Sequence, residues 1–357
     1  MEQLTDTLPL LDQVPQPVFL VKEGIITHAN HAALARQVEV FAKICDFITI
    51  GKPEYAQFTG GRLFLTLTIN NTTYSASVIK AKDSDLFCLE SEFSDPELRA
   101  LALASINLRE PLSNALVSIG RLLPEETIQN NPCILKQMQQ INQSLYQMYR
   151  TIGNMSDSAK YNAGGNTKAE TLDVVSFINE LIEKVTFLVE KTERTLVFHG
   201  LNQPLICLID SEMLERAFLN LISNAVKFSD SGSAICVTLK LGKNKLYISV
   251  QSEGDKIDNA FNRDLFSRYL REPGIEDSRH GIGLGLTIVR GAATAHKGTL
   301  LLEQPVNEGP KFTMSISLIQ PKNMIMRSPI LLPIDYTGGY DRVLIELADI
   351  LPPEAFE

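Results

Sequence analysis

Two stretches in the C-terminal half limit what this chain can become: Asn220-Leu221-Ile222-Ser223-Asn224-Ala225-Val226-Lys227 and Gly281-Ile282-Gly283-Leu284-Gly285-Leu286. Residues four apart share one face of an α-helix, so Asn220 and Asn224 present two carboxamide oxygens together, with Lys227 one turn further on. Glycines at alternate positions free the backbone for positive φ and let amide N–H groups approach phosphate oxygens, just ahead of a helix through Thr287-Ile288-Val289-Arg290. A lone glycine-rich hexapeptide is more often a turn, and an Asn pair more often a surface feature. Together, with strands between them, they imply a nucleotide pocket for ATP, with magnesium held by Asn220 and Asn224 and completed by phosphates.

The run Asp210-Ser211-Glu212-Met213-Leu214-Glu215-Arg216-Ala217-Phe218-Leu219 leading into NLISNAVKFS resembles the N box of sensor histidine kinases. RHGIGLGLTIVRGAATAHKG resembles their G2 box, and LFSRYLREP their F box, with Phe266 at its aromatic position. The resemblance runs from about Thr171 to Leu318 and implies an α/β sandwich of the histidine kinase/gyrase/Hsp90 type, a mixed sheet under three helices. It implies magnesium and phosphate roles for Asn220, Asn224 and Lys227, and a lid hinge and phosphate cradle at Gly281, Gly283 and Gly285. The family's G1 box, D-x-G-x-G, is matched by Ser252-Glu253-Gly254-Asp255-Lys256, so a serine replaces the acid that accepts from the adenine amino group. Losing a charge-assisted hydrogen bond there costs about 1 kcal/mol, which weakens ATP binding without abolishing it.

Upstream, Leu101, Ser105, Leu108, Leu112, Ala115, Ile119 and Leu122 follow 4-3 spacing, as do Ile134, Met138, Ile141, Leu145, Met148, Ile152 and Met155. Such stripes are bundle seams. Breakers at Leu123-Pro124 and Asn130-Asn131-Pro132 turn the chain back, predicting an antiparallel helical hairpin. A second copy would complete a dimeric four-helix bundle; packing against neighbouring domains of the same chain is the alternative.

In sensor histidine kinases the first hairpin helix carries the phosphoacceptor in H-E-L-R-T-P-L. The matching segment is Ile106-Asn107-Leu108-Arg109-Glu110-Pro111-Leu112, which puts Ile106 at the histidine position and Asn107 at the acid. Phosphoryl transfer to imidazole needs a ring nitrogen in line with the γ-phosphate and a neighbouring base, and isoleucine supplies neither. The five histidines, His28, His31, His199, His280 and His296, all lie outside the hairpin and read as structural. Glu110 stands where the family has a threonine or asparagine that positions water, so phosphatase activity is not implied.

The first ninety residues form a separate unit. Val18 to Val21 and Gly24 to Thr27 read as strands, Asn30 opens a helix, short helices fill Val38 to Phe58, and Arg62 to Thr68, Thr73 to Ile79 and Leu86 to Leu89 form a meander. Two strands, a helical middle and three strands resemble a PAS domain. The resulting division is an α+β multidomain chain: a PAS-like sensor at 1–92, a dimerisation hairpin at 93–160, a linker at 161–170 containing the glycine hinge, an ATP-binding domain at 171–320 and a C-terminal tail at 321–357. Asp341 to Leu347 of the tail reads as a short amphipathic element that docks, on its own ATP domain or on another protein.

A net charge of -9 without a basic cluster argues against nucleic acid. No apolar run is long enough to span a bilayer and no secretory leader opens the chain, so a cytoplasmic place is expected. Five cysteines, Cys45, Cys88, Cys133, Cys207 and Cys236, lie at no metal spacing, as expected of reduced thiols. Two readings stand. One is a degenerate signalling module that binds ATP and magnesium, forms a homodimer and acts through a response regulator or partner kinase. The other is an active histidine kinase or ATPase that phosphorylates an unrecognised or partner residue.

Overall fold

The hairpin of Val18–Lys22 (β1) and Ile25–Ala29 (β2) turns through Glu23 and Gly24, at φ 50° and 77°, with a glycine where the larger rotation falls. This is a computed structural model that describes residues 11–80, 83–89, 96–122, 124, 127–128, 130–162, 167–253, 284–305, 308–321 and 341–356. Asn30 ends β2 by capping helix α1 (His31–Ala35): its side-chain oxygen accepts from the N–H groups of Ala33 and Val18. Its amide donates to the carbonyls of Leu11, Val14 and Gln16, so one buried carboxamide ties the N-terminal segment to the sheet. Helices α2 (Ile44–Phe47) and α3 (Lys52–Gln57) flank strand β3 (Ile48–Ile50), and β4 (Arg62–Ile69), β5 (Thr72–Lys80) and β6 (Asp85–Leu89) form the meander expected from their alternation.

Two long helices follow, α4 (Pro96–Gly120) and α5 (Pro132–Asn162), packed as an antiparallel hairpin. Pro111 lies inside α4 and removes the donor that would meet the Asn107 carbonyl. The C-terminal domain contains β7 (Glu170–Asp173), α6 (Val174–Glu190), β8 (Thr195–His199), β9 (Ile206–Ile209), α7 (Ser211–Lys227), β10 (Ala234–Leu241), β11 (Lys245–Ser252), α8 (Gly285–Ala295), β12 (Leu300–Glu303) and β13 (Lys311–Ser317). Strands β12, β13, β11, β10 and β8 lie in that order, antiparallel except for the parallel β10–β8 pair. The apolar faces of α6, α7 and α8 cover this mixed sheet and bury Val185, Phe218, Ile222, Ile248, Ile288 and Met314 in one core, as the sandwich expectation requires.

Two features exceed the sequence reading. First, the N-terminal and C-terminal sheets are one. Edge strand β4 pairs antiparallel with β12 through Phe64–Leu300, Leu63–Leu301 and Arg62–Leu302, giving an eleven-stranded sheet among the described residues. Side chains on β4 alternate between two cores, Leu63 and Leu65 in the N-terminal one and Phe64 in the C-terminal one, under the guanidinium of Arg290 at 5.7 Å. Glu54 reinforces the seam by accepting from Lys245 at 2.6 Å and from the Tyr247 hydroxyl at 3.3 Å.

Second, the tail docks on its own chain. Helix α9 (Arg342–Leu347) and a 3₁₀ turn at Pro353–Ala355 wedge between the hairpin and the C-terminal domain. Val343, Leu347, Ala348, Leu351 and Phe356 join the C-terminal core, while Ile345 packs with Leu112, Leu116, Tyr149 and Ile152 of the hairpin. Gln143 and Gln147 of α5 donate to the carbonyls of Leu351 and Ala348 at 2.8 and 3.3 Å.

The seam stripes are partly covered and partly exposed. Ser105, Leu112 and Ile152 are buried as expected, but Leu108, Leu122, Ile141 and Met148 are exposed. The most buried positions of α5 include Gln139, Tyr149, Arg150 and Asp157, off the expected stripe, because that face meets α8 and the tail. Among the described residues no helix is long and apolar enough to cross a membrane.

Candidate functional site

Helix α7 begins where Asp210 caps it, accepting from the N–H groups of Met213 at 3.0 Å and Lys168 at 2.7 Å. The cap is locked from the far side by His296, at the end of α8. Its Nε2 accepts the Asp210 N–H at 3.0 Å, and its Nδ1 lies 2.8 Å from the Ala292 carbonyl. Both bonds are made at once by a neutral ring protonated on Nδ1. Burial holds the His296 pKa below the ordinary imidazole value, against the opposing pull of the Ala292 carbonyl and the Asp210 charge. Between that lowered value and about 6.5 the unfolded chain binds more protons than the folded one, so stability falls as the pH drops below 6.5, by at most about 1.4 kcal/mol per unit. His296→Gln, whose carbonyl still accepts from Asp210, is expected to lack this slope in denaturation measured from pH 7 to 5.

One face of α7 carries the residues read as magnesium and phosphate ligands. Asn220 is fully buried. Its Nδ2 donates to the Arg216 carbonyl at 2.8 Å and to Glu346 Oε2 of the tail at 3.2 Å, and its Oδ1 lies 3.4 Å from an Arg150 nitrogen. A Cβ on Gly285 would come within 2.7 Å of that same oxygen, so glycine at the start of α8 is what lets the helix close on Asn220. Lys227 pairs with Asp349 Oδ2 at 3.0 Å, and the same oxygen receives Arg150 at 2.7 Å. Arg150, reaching across from the hairpin, also donates to Ser223 at 3.0 Å. Deeper still, Arg216 pairs with Glu346 at 3.0 Å and with Asp157 and Asn154 of the hairpin. The outcome is a buried ionic cluster in which Arg150, Arg216 and Lys227 face Glu346, Asp349 and Asp157.

The polar atoms of Asn220 and Lys227 are engaged by the chain's own groups. A magnesium ion does not fit the arrangement, because the Asn220 oxygen faces a guanidinium. Asn224 is half-buried on the same helix. The opposite end is different: Ser252, which the resemblance aligns with the acid of the G1 box, is buried, and its Oγ has no hydrogen-bond partner among the described residues. An orphaned hydroxyl there suits a ring with an exocyclic amine. Gly254, Phe266, Gly281 and Gly283 lie outside the described residues, as do His280 and the hinge glycines Gly164 and Gly165.

Residues 209–320 match the family of histidine kinase-, DNA gyrase B-, and HSP90-like ATPases. That segment holds α7, the sheet strands β10 to β13, and α8. Hybrid signal transduction histidine kinase D of Dictyostelium discoideum is 28% identical over 251 residues, covering 67% of this chain and 16% of that protein. Histidine kinase P4 of Formosa agariphila is 26% identical over 251 residues, covering 67% of this chain and 18% of that protein. Over 106 residues, 30% of this chain and 18% of the relative, identity to sensor histidine kinase YvrG of Bacillus subtilis is 34%. The chain thus spans less than a fifth of the length of these relatives.

Sequence reasoning missed Arg150, Arg216, Glu346 and Asp349. Arg216 was hidden inside the N-box resemblance. The available signal for the tail was an acid, Glu346, set between Ile345 and Leu347 in a short apolar element.

Proposed function

We propose that this chain is a signal-transduction protein of the sensor histidine kinase family that binds ATP in its ATPase-type domain and has no phosphoacceptor of its own. The observation that carries this reading is Ile106 on α4, 57% exposed at the position of the acceptor histidine, beside Asn107 and one turn before Pro111. A hydrocarbon there has no lone pair to attack a γ-phosphate, and an amide beside it is no base. Binding and conformational change remain available to the fold, and these suffice for a protein that acts by contact.

A PAS-like reading of the N-terminal unit is supported by its strand order β2-β1-β6-β5-β4 and by the Asn30 cap. Exposed Leu103, Ile106, Leu108, Leu122, Ile141 and Met148 on the hairpin support a homodimer with a shared bundle, and response regulators or partner kinases are the partners the family suggests. None of the five cysteines is in a disulfide, in keeping with the cytoplasm.

Incubation of the purified protein with γ-labelled ATP and magnesium is expected to leave no acid-labile, base-stable phosphate on it. Label of that kind would overturn the reading in favour of an active kinase. Ile106→His with Asn107→Glu restores the missing nucleophile and base, and is expected to raise label above the wild-type background.

A further inference from the structure

The buried ionic cluster contains a contradiction. The helix face that the family resemblance assigns to phosphates is occupied, and what occupies it is anionic. Asp349 places one carboxylate oxygen between Lys227 at 3.0 Å and Arg150 at 2.7 Å, the geometry of a phosphate oxygen held by two cations. Glu346, fully buried, takes the Asn220 amide at 3.2 Å. Both acids belong to one segment, and its apolar side chains seat it in the C-terminal core and against the hairpin.

We propose that Arg150 and Lys227 form a clamp for the phosphates of a nucleotide, and that residues 341–356 are its internal competitor, with Asp349 standing where a phosphate oxygen binds. The proposal rests on the nucleotide-pocket reading above and adds to it a ligand, Arg150, supplied by the hairpin. It explains why a guanidinium from another element reaches α7. An arginine 4% exposed needs a counter-charge, and the carboxylate that meets it comes from the same segment that covers the pocket.

Two consequences follow from the charges. Removal of the segment leaves Arg150 and Lys227 facing the pocket without Asp349, which raises their attraction for a polyphosphate. A docked segment also lowers the apparent nucleotide affinity by the fraction of molecules in which it has left. Since Arg150 belongs to the hairpin, clamp, tail and hairpin are linked: nucleotide that expels the tail also alters what holds α5 against the ATPase-type domain, including the Gln143 and Gln147 bonds to tail carbonyls.

The test uses the whole 357-residue chain, ATP and magnesium chloride. In calorimetric titration, Asp349→Asn is expected to bind ATP about tenfold more tightly than wild type, a ratio set by how completely the tail is docked. Adding Arg150→Gln should cancel that gain. Independently of any substitution, saturating ATP should increase hydrogen exchange at residues 342–356 of the wild type, and this measurement decides alone where a variant does not fold. ATP binding that leaves the exchange of 342–356 and the Asp349→Asn affinity unchanged would overturn the competitor while leaving the pocket standing. Absence of ATP binding in every form, with the segment released in Asp349→Asn, would overturn the pocket and the clamp together.

Discussion

Glu346→Ala is expected to strip residues 342–356 of their protection from hydrogen exchange while the rest of the chain keeps its own. Glu346 is fully buried and meets Arg216 at 3.0 Å, Asn220 at 3.2 Å and Arg150 at 3.8 Å. Its removal takes from Arg150 and Arg216 a carboxylate that both of them meet. Truncating one member of a buried ionic cluster costs about 3–5 kcal/mol, because the partner charges stay desolvated. A globally cooperative element would register that as lost overall stability. The tail is a local element, and its departure lets water reach the guanidinium groups, so the cost is limited to the free energy that docks it. Glu346→Gln keeps a hydrogen-bonding side chain of the same size and should lie between wild type and alanine. Unchanged exchange at 342–356 in Glu346→Ala would show that apolar packing by Val343, Ile345 and Leu347 holds the segment without the ionic cluster.

The elements that the sequence disclosed are those whose signal is local. Alternation placed the strands of the N-terminal meander within a residue or two, Asn30 announced its own helix, and the 4-3 stripes announced the hairpin. Even the α7 face was legible, since Asn220, Asn224 and Lys227 declare their relative positions through helical spacing alone. Their partners were not. Glu346 is 126 residues from Asn220 and Asp349 is 122 from Lys227, and no periodicity links positions so far apart. Arg150 illustrates the difficulty best: on a helix rich in Gln and Asn it reads as a solvated charge, yet it is the residue that joins hairpin, tail and α7. The motif alone therefore named the α7 residues but not the side chains that meet them.

Gly61→Val is expected to part the two halves of the continuous sheet. Gly61 has φ +89°, and a Cβ there would stand 2.2 Å from the Leu302 carbonyl oxygen. That oxygen belongs to the backbone of β12, so the overlap is relieved only by moving one strand away from the other. A β-branched residue also disfavours this left-handed backbone, and clash and strain together should cost about 2–4 kcal/mol. Gly60→Ala is the control: no atom lies within 4 Å of its added Cβ, and its effect should stay within about 0.5 kcal/mol. The consequence reaches past stability. β12 follows α8 in the chain, α8 begins at Gly285 against Asn220, and Arg290 of α8 lies over Phe64 of β4. A shift of β4 thus has a short packed route to the α7 face, independent of the hairpin. Exchange at residues 300–302 should rise in Gly61→Val but not in Gly60→Ala. A rise also at 342–356 would show that the N-terminal unit and the docked tail are coupled through the sheet, whereas protection there equal to wild type would confine the junction to a structural role.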